Sequence, residues 1–249
     1  MNPILSVKGI SIQFGALKAV QDVSFEAQPG KITAVIGPNG AGKSSLFNLI
    51  SGAIRPSSGS VRFDGEDVTG RAPHQLLRYG LSRSFQITNL FFELPVRENL
   101  RLAAQFLEQG RGLFRPLARS QTAAARVDEL LEQFDLRNKA DELAGYLSHG
   151  EQRRLEIAVS LASRPRMLLL DEPTQGMSHG DTRETEALIR GLSRNHGLSI
   201  LLVEHDVDLV MQLSDFVVVM HQGQKLAEGT PAEVRANPAV QSAYFGEKL

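Results

Sequence analysis

Apolar residues recur at two spacings along this chain, and the change from one to the other divides it. In the first part they come in short runs: Ile4 to Val7, Ile10 to Phe14, Val20 to Phe25 and Ile32 to Ile36, broken by Gly9, Gly15 and Pro29-Gly30. Runs of that kind predict strands. Ile32-Thr33-Ala34-Val35-Ile36 is apolar on both faces, as a central parallel strand requires. Ser45 to Ser51 reads as a helix with Leu46, Leu49 and Ile50 on one face and Gly52 just past its end. Val61 to Phe63 reads as a short strand before the turn Asp64-Gly65. From about Phe85 to Ala162 the spacing is helical, as in Val127, Leu130, Leu131 and Phe134, and again in Leu155, Ala158, Val159 and Ala162. Glu108 to Ser120, with Gly110, Gly112 and Pro116, reads as a loop or helix break. Strand character returns at Met167 to Asp171, Ile200 to Glu204 and Phe216 to Met220. A helix near Asp181 to Arg194, with Leu188, Ile189 and Leu192 inward, separates the first two. Alternation of strand and helix predicts a parallel sheet. A helical block is therefore expected inside an α/β core.

Composition narrows the function. The chain has 249 residues, 42% hydrophobic and 22% charged, with a net charge of −1. That balance suits a globular domain and gives no electrostatic footprint for nucleic acid. There is no cysteine, which removes disulfides, thiolate catalysis and cysteine metal sites. No apolar run approaches the roughly 20 residues that span a bilayer, and the first residues lack the basic and apolar regions of a signal peptide. The chain is expected to be soluble as made, with any membrane role coming through a partner.

Two segments carry chemistry. Gly37-Pro38-Asn39-Gly40-Ala41-Gly42-Lys43-Ser44 has the pattern G-x-x-x-x-G-K-S between a buried strand and a helix. Glycines let backbone N–H groups close round an anion, and a helix N-terminus adds the positive end of its dipole. Lys43 can reach β- and γ-phosphates and Ser44 can hold Mg²⁺. The bland alternative is a glycine turn beside a solvated lysine. Met167-Leu168-Leu169-Leu170-Asp171-Glu172 is a buried strand ending in two carboxylates, at the sheet edge where α/β ligands sit. Asp171 is expected near the metal, and Glu172 could polarise an attacking water. Strand-end acids also cap following helices, so this segment is weak alone. Ser148-x-x-Glu151 before an amphipathic run is a capping box, and the helix end it caps also attracts anions.

Together, Gly37 to Ser44, Gln86, Leu147-Ser148-His149-Gly150-Glu151, Asp171-Glu172-Pro173-Thr174 and His205 resemble, in order and spacing, the motifs of an ABC-type ATPase cassette. The resemblance runs over almost the whole chain. It implies an α/β fold with a RecA-like P-loop core, an antiparallel β subdomain and an inserted α-helical subdomain. One domain over 1–249 is then expected, with the core and β subdomain in 1–85 and 163–249 and the helical signature subdomain in 86–162. It implies ATP and Mg²⁺ as ligands. Residue by residue, Phe14 matches the aromatic that stacks on adenine, although strand aromatics also pack inward. Gly37 to Ser44, with Ser45, match the phosphate loop. Ser44, Gln86 and Asp171 match the metal site, and Glu172, His205 and Lys43 the catalytic groups. Ser148, Gly150 and Glu151 match the segment that meets the γ-phosphate bound by a second cassette, so the resemblance implies a head-to-tail dimer. Two positions depart from the pattern: His149 replaces the usual second signature glycine, and Ser178 stands where an aspartate is common.

Within the family the chain is most similar to ATP-binding subunits of bacterial branched-chain amino-acid importers. The stretches behind this are Ser82 to Gln86 with Leu90-Phe91-Phe92 and Val96 to Leu100, Gly150 to Ala158, and the tail Asn237 to Gly246. Such systems imply transmembrane permease subunits, a periplasmic solute-binding protein acting indirectly, and a peripheral place on the cytoplasmic face of the bacterial inner membrane. Cassettes of urea import or lipopolysaccharide transport remain open alternatives. So does a non-transport ABC ATPase, although those usually carry fused cassettes, long insertions or basic surfaces. A Rossmann dehydrogenase needs G-x-G-x-x-G, which Gly37 to Gly42 does not supply.

Overall fold

The computed structural model describes residues 2–84, 90–108 and 121–245. Gln86, the Gly110 to Pro116 break and Gly246 lie outside the described residues.

Among the described residues ten strands form two sheets. β1 (Leu5–Phe14), β2 (Leu17–Ala27), β4 (Ser58–Phe63) and β5 (Glu66–Asp67) make an antiparallel sheet of order β2-β1-β4-β5. Sequence reading divides β1 in two at Gly9. The strand is in fact continuous, with its register to β2 shifting between Val7 and Ile10, so the glycine marks a bulge rather than an end. β3 (Ile32–Ile36), β6 (Leu81–Arg83), β7 (Met167–Asp171), β8 (Ser199–Val203), β9 (Phe216–His221) and β10 (Gln224–Gly229) form the second sheet, of order β10-β9-β3-β8-β7-β6. Its internal pairings are parallel, and β10 is an antiparallel edge.

Alternation in the central strands sorts their side chains into two cores. Ile32, Ala34, Ile36, Leu168, Leu170, Ile200 and Leu202 face a core shared with the helices. Val35, Met167, Leu169, Leu201 and Val203 face the antiparallel sheet and α1 (Lys43–Ile50). β3, β7 and β8 are buried at every position, which is why their sequences are apolar on both faces.

Between β6 and β7 the described residues carry the helices α3 (Val96–Ala104), α4 (Gln121–Gln133) and α5 (His149–Leu161), after α2 (Pro73–Tyr79). α6 (His179–His196) runs longer than the expected Asp181 to Arg194, because Ser178 caps it by accepting the Asp181 N–H. α7 (Val207–Leu213), α8 (Pro231–Ala236) and α9 (Pro238–Phe245) follow.

Register positions the site. Val203 of β8 lies opposite Val35 of β3 on one side and Asp171 of β7 on the other. The segments leaving β3, β7 and β8 therefore emerge at one level of one sheet edge, carrying Gly37, Glu172 and Glu204-His205.

Candidate functional site

The loop from Gly37 leads directly into α1, which begins at Lys43 rather than at Ser45. Gly42 is its N-cap at φ 95°, with no capping side chain and no acid in the first turn. A Cβ on Gly42 would lie 2.3 Å from the carbonyl oxygen of Ala19, so the position tolerates only glycine. By contrast α5, α6, α7 and α8 are capped by Ser148, Ser178, Asp206 and Thr230. The loop thus presents a helix end whose backbone N–H groups are left to an external acceptor.

Lys43 lies folded into the loop, 5% exposed. Its Nζ donates to the carbonyls of Gly37 at 2.7 Å and Pro38 at 3.1 Å. Burial lowers its pKa from the ordinary lysine value, and the charge of Glu172 acts against that shift. A cavity of about 540 Å³ lies over the loop, lined by Asn39 to Ser45, by His205 and by Lys18-Ala19. Ser44 is exposed there and Ser45 half-buried.

Asp171 ends β7 at 2% exposure. Its Oδ2 accepts from Arg83 Nη2 at 3.2 Å, while Oδ1 is buried with no hydrogen-bond partner in the protein. Burial raises its pKa, with Arg83 pulling it back down. Glu172 follows at φ 47°, a left-handed conformation uncommon outside glycine. It is 8% exposed, and its Oε2 is likewise buried without a partner. Its Oε1 meets Nε2 of His205, whose ring is partly open to solvent.

The motif residues therefore divide. Lys43, Asp171, Glu172 and His205 gather at the sheet edge. Ser148, Gly150 and Glu151 do not share the loop's cavity. They form the N-terminal end of α5, with Ser148 exposed and Gly150 and Glu151 half-buried, where Ser148 Oγ accepts the Glu151 N–H at 3.3 Å and Glu151 accepts the Ser148 N–H at 2.8 Å. That bond holds the Glu151 pKa below the ordinary carboxylate value. Gly150 sits against α6: a Cβ there would lie 2.9 Å from Asp181 Oδ1. His149 lines a separate cleft with Arg153, Glu172, Pro173 and Met177. Phe14 is 50% exposed at the end of β1, so the inward-packing alternative does not hold.

Sequence reasoning missed Arg83 and Glu204. Arg83 donates to Asn48 Oδ1 and Ser51 Oγ, both at 2.7 Å, and lies 4.7 Å from the centre of the Phe47 ring. Glu204 is 3% exposed and accepts from Thr174 and His205. The one available signal was its acid at the end of an apolar strand, directly before His205.

Residues 20–175 match the family model described as ABC transporter. The chain belongs to the ABC transporter ATP-binding family. Residues 224–248 match a second model, described as branched-chain amino acid ATP-binding cassette transporter. The ABC chain is 42% identical over 254 residues to the high-affinity branched-chain amino acid transport ATP-binding protein BraF of Pseudomonas aeruginosa, covering 98% of each. It is 41% identical over 252 residues to LivG of Escherichia coli, a protein of the same description, again covering 98% of each. Among solved structures it superposes on a nucleotide-free ATP-binding cassette from an ABC transporter, and on an ADP conformation of such a cassette, each with TM-score 0.87, 32% identity and 99% of this chain covered. As an ABC cassette the chain binds nucleotide and is an ATPase of transport. Among the described residues no helix is long and apolar enough to cross a membrane.

Proposed function

We propose that this ABC ATPase powers import of branched-chain or chemically similar amino acids, with hydrolysis at the edge where Lys43, Glu172 and His205 meet. The observation that carries the site is the contact between Glu172 and His205 beside the buried Lys43. The substrate class is supported by the match of residues 224–248 and by the amino-acid transport relatives.

In this reading the loop amides from Gly37 to Ser44, with Ser45, hold the phosphates, and Phe14 stacks on adenine. Lys43 exchanges its loop carbonyls for phosphate oxygens, which offsets the desolvation that lowers its pKa. Glu172 accepts a proton from water and orients it, and His205 holds the glutamate and faces the developing charge. The residues fit a Mg²⁺ ion. The unpartnered Oδ1 of Asp171 and the exposed hydroxyl of Ser44 would share it, with Gln86, outside the described residues, as the third group. Among the described residues no cluster of three His, Asp or Glu side chains could hold a metal alone, so its remaining ligands would come from phosphate and water. When bound, the ion neutralises phosphate oxygens.

Ser148, Gly150 and Glu151, outside the loop's own cavity, serve the nucleotide of a second cassette chain, so the working unit is a dimer. The helical residues of 86–162 act as the signature subdomain. The exposed Phe91, Phe92 and Tyr146 support docking of permease subunits at the cytoplasmic face of the membrane, with a periplasmic solute-binding protein acting through them. The test pairs two variants. Glu172→Gln should bind ATP normally while turnover falls at least about 100-fold, and Lys43→Ala should lose ATP affinity by calorimetry. Undiminished hydrolysis in the first, or retained affinity in the second, would sink the assignment.

A further inference from the structure

The geometry points to Glu204 as a positioning residue that sets the contact between Glu172 and His205; the inference rests on the hydrolytic reading of that pair. Glu204 directly follows β8 and is buried, 3% exposed. Its Oε1 accepts the backbone N–H of Thr174 at 3.0 Å and the Thr174 hydroxyl at 2.7 Å. Its Oε2 accepts the backbone N–H of His205 at 3.1 Å. One carboxylate thus ties the segment after β7 to the segment after β8.

These bonds close a ring. From Glu172 the chain runs through Pro173 to Thr174, crosses to Glu204, passes to His205, and returns through the imidazole to Oε1 of Glu172. On its other side Glu172 is held by its own N–H, which donates to Val203 O at 2.9 Å. The left-handed backbone of Glu172 is thereby bracketed by one cross-strand bond before it and a pair of them two residues after it. A strained conformation persists only where its surroundings over-determine it, and the Thr174–Glu204 bonds are the part of that bracket made by side chains.

The chemistry calls for a carboxylate. Its three donors, two N–H groups and one hydroxyl, are what a buried acceptor without an ion-pair partner needs. A glutamine would keep one oxygen for Thr174 but turn an NH₂ group toward the His205 N–H, donor against donor. Thr174→Val would remove the hydroxyl alone, and Thr174→Ser would keep it.

The experiment measures steady-state ATP turnover and calorimetric ATP affinity of the full chain carrying Glu204→Gln, Thr174→Val, Thr174→Ser, and Glu204→Gln with Thr174→Val. Glu204→Gln should lower kcat on the order of 10- to 100-fold, as for a lost hydrogen bond to a charged group, with KM and affinity within about twofold. Thr174→Val should lower kcat roughly three- to tenfold, and Thr174→Ser should restore it. The double variant should be no slower than Glu204→Gln alone, because both break the same ring. The inference is overturned if Glu204→Gln keeps kcat within about twofold, if the double variant shows the product of the single losses, or if affinity falls in step with kcat. Should Glu204→Gln not fold, equal turnover in Thr174→Val and Thr174→Ser overturns it instead. Full turnover in Glu172→Gln would remove the hydrolytic reading itself. Full turnover in Glu204→Gln beside an inactive Glu172→Gln removes only the positioning role.

Discussion

Replacing Arg83 with alanine should unfold this protein at a markedly lower temperature, and more so at neutral than at acid pH. The guanidinium joins three elements: Asn48 and Ser51 at the end of α1, Phe47 beneath its face, and Asp171 at the end of β7. Asp171 is 2% exposed, so without Arg83 a carboxylate remains buried with no ion-pair partner. Breaking a buried pair from one side costs about 3–5 kcal/mol. For a chain of this size each kcal/mol lowers Tm by about 2–4 °C, so the expected fall is about 6–20 °C. Lysine at 83 should recover only part, because an ammonium cannot fork between two side-chain oxygens and a carboxylate while lying flat on a ring.

The pH dependence follows from Asp171. Burial already raises its folded-state pKa above the unfolded value of 3.8, with Arg83 opposing. A carboxyl raised in the folded state contributes stability that is fully present below its unfolded pKa and is lost as pH rises through its folded pKa. Removing Arg83 removes the opposing influence and pushes the folded pKa further up. The gap in Tm between Arg83→Ala and the unsubstituted chain should therefore be widest near neutrality and should narrow as the pH falls through that folded pKa. Adding Asp171→Asn should recover most of the loss at neutral pH, since it removes the stranded charge. Calorimetric melting across pH checks all three. A Tm within about 2 °C of the unsubstituted chain at neutral pH, or a gap that does not narrow in acid, would refute the reasoning.

Two further outcomes follow from the helix ends. Gly42→Ala places a Cβ 2.3 Å from Ala19 O at φ 95° and should cost about 2 kcal/mol or more, with ATP affinity falling by calorimetry as the loop shifts. Ser148→Ala removes the cap of α5 and should cost about 1 kcal/mol. Ser148→Asn should return that stability, since asparagine also caps; if turnover returns with it, Ser148 acts only as a cap and its role toward a second chain's nucleotide is wrong.

What the sequence made legible were features that depend on near neighbours. The Gly37 to Ser44 loop, the all-buried strands, the Ser148–Glu151 capping box and the strand-end acids announce themselves within a few residues. Contacts between distant segments did not. Arg83 finds Asp171 across 88 positions and Thr174 finds Glu204 across 30, with nothing local to signal either. β10 escaped for a related reason: Gln224–Gly229 has no apolar run and is a strand only because it pairs with β9. α2 is seven residues long and buries only Leu76, too little for a helical period. Gly9 reads as an end because glycine punctuates strands more visibly than it bulges them. Phe14 was ambiguous because composition cannot say which end of a strand runs out into solvent.

Four different kinds of locally unfavourable feature, each also found singly elsewhere in the described residues, converge at one place, and that convergence points to the site without any motif. Glu172 holds a left-handed backbone; one oxygen each of Asp171 and Glu172 is buried without a partner; Lys43 is buried against its usual preference; and α1 starts with no capping side chain. Each would count as a defect in a sequence selected for stability alone. They persist because β3, β7 and β8, which carry them, are buried at every position and locked in register. Nothing in the core demands two adjacent acids at the end of β7 or a lysine beneath a glycine turn. A phosphate, a divalent cation and a water to be deprotonated do demand them, since each supplies what one of these groups lacks: an acceptor for the uncapped N–H groups and Lys43, a cation for Asp171, and a proton for Glu172.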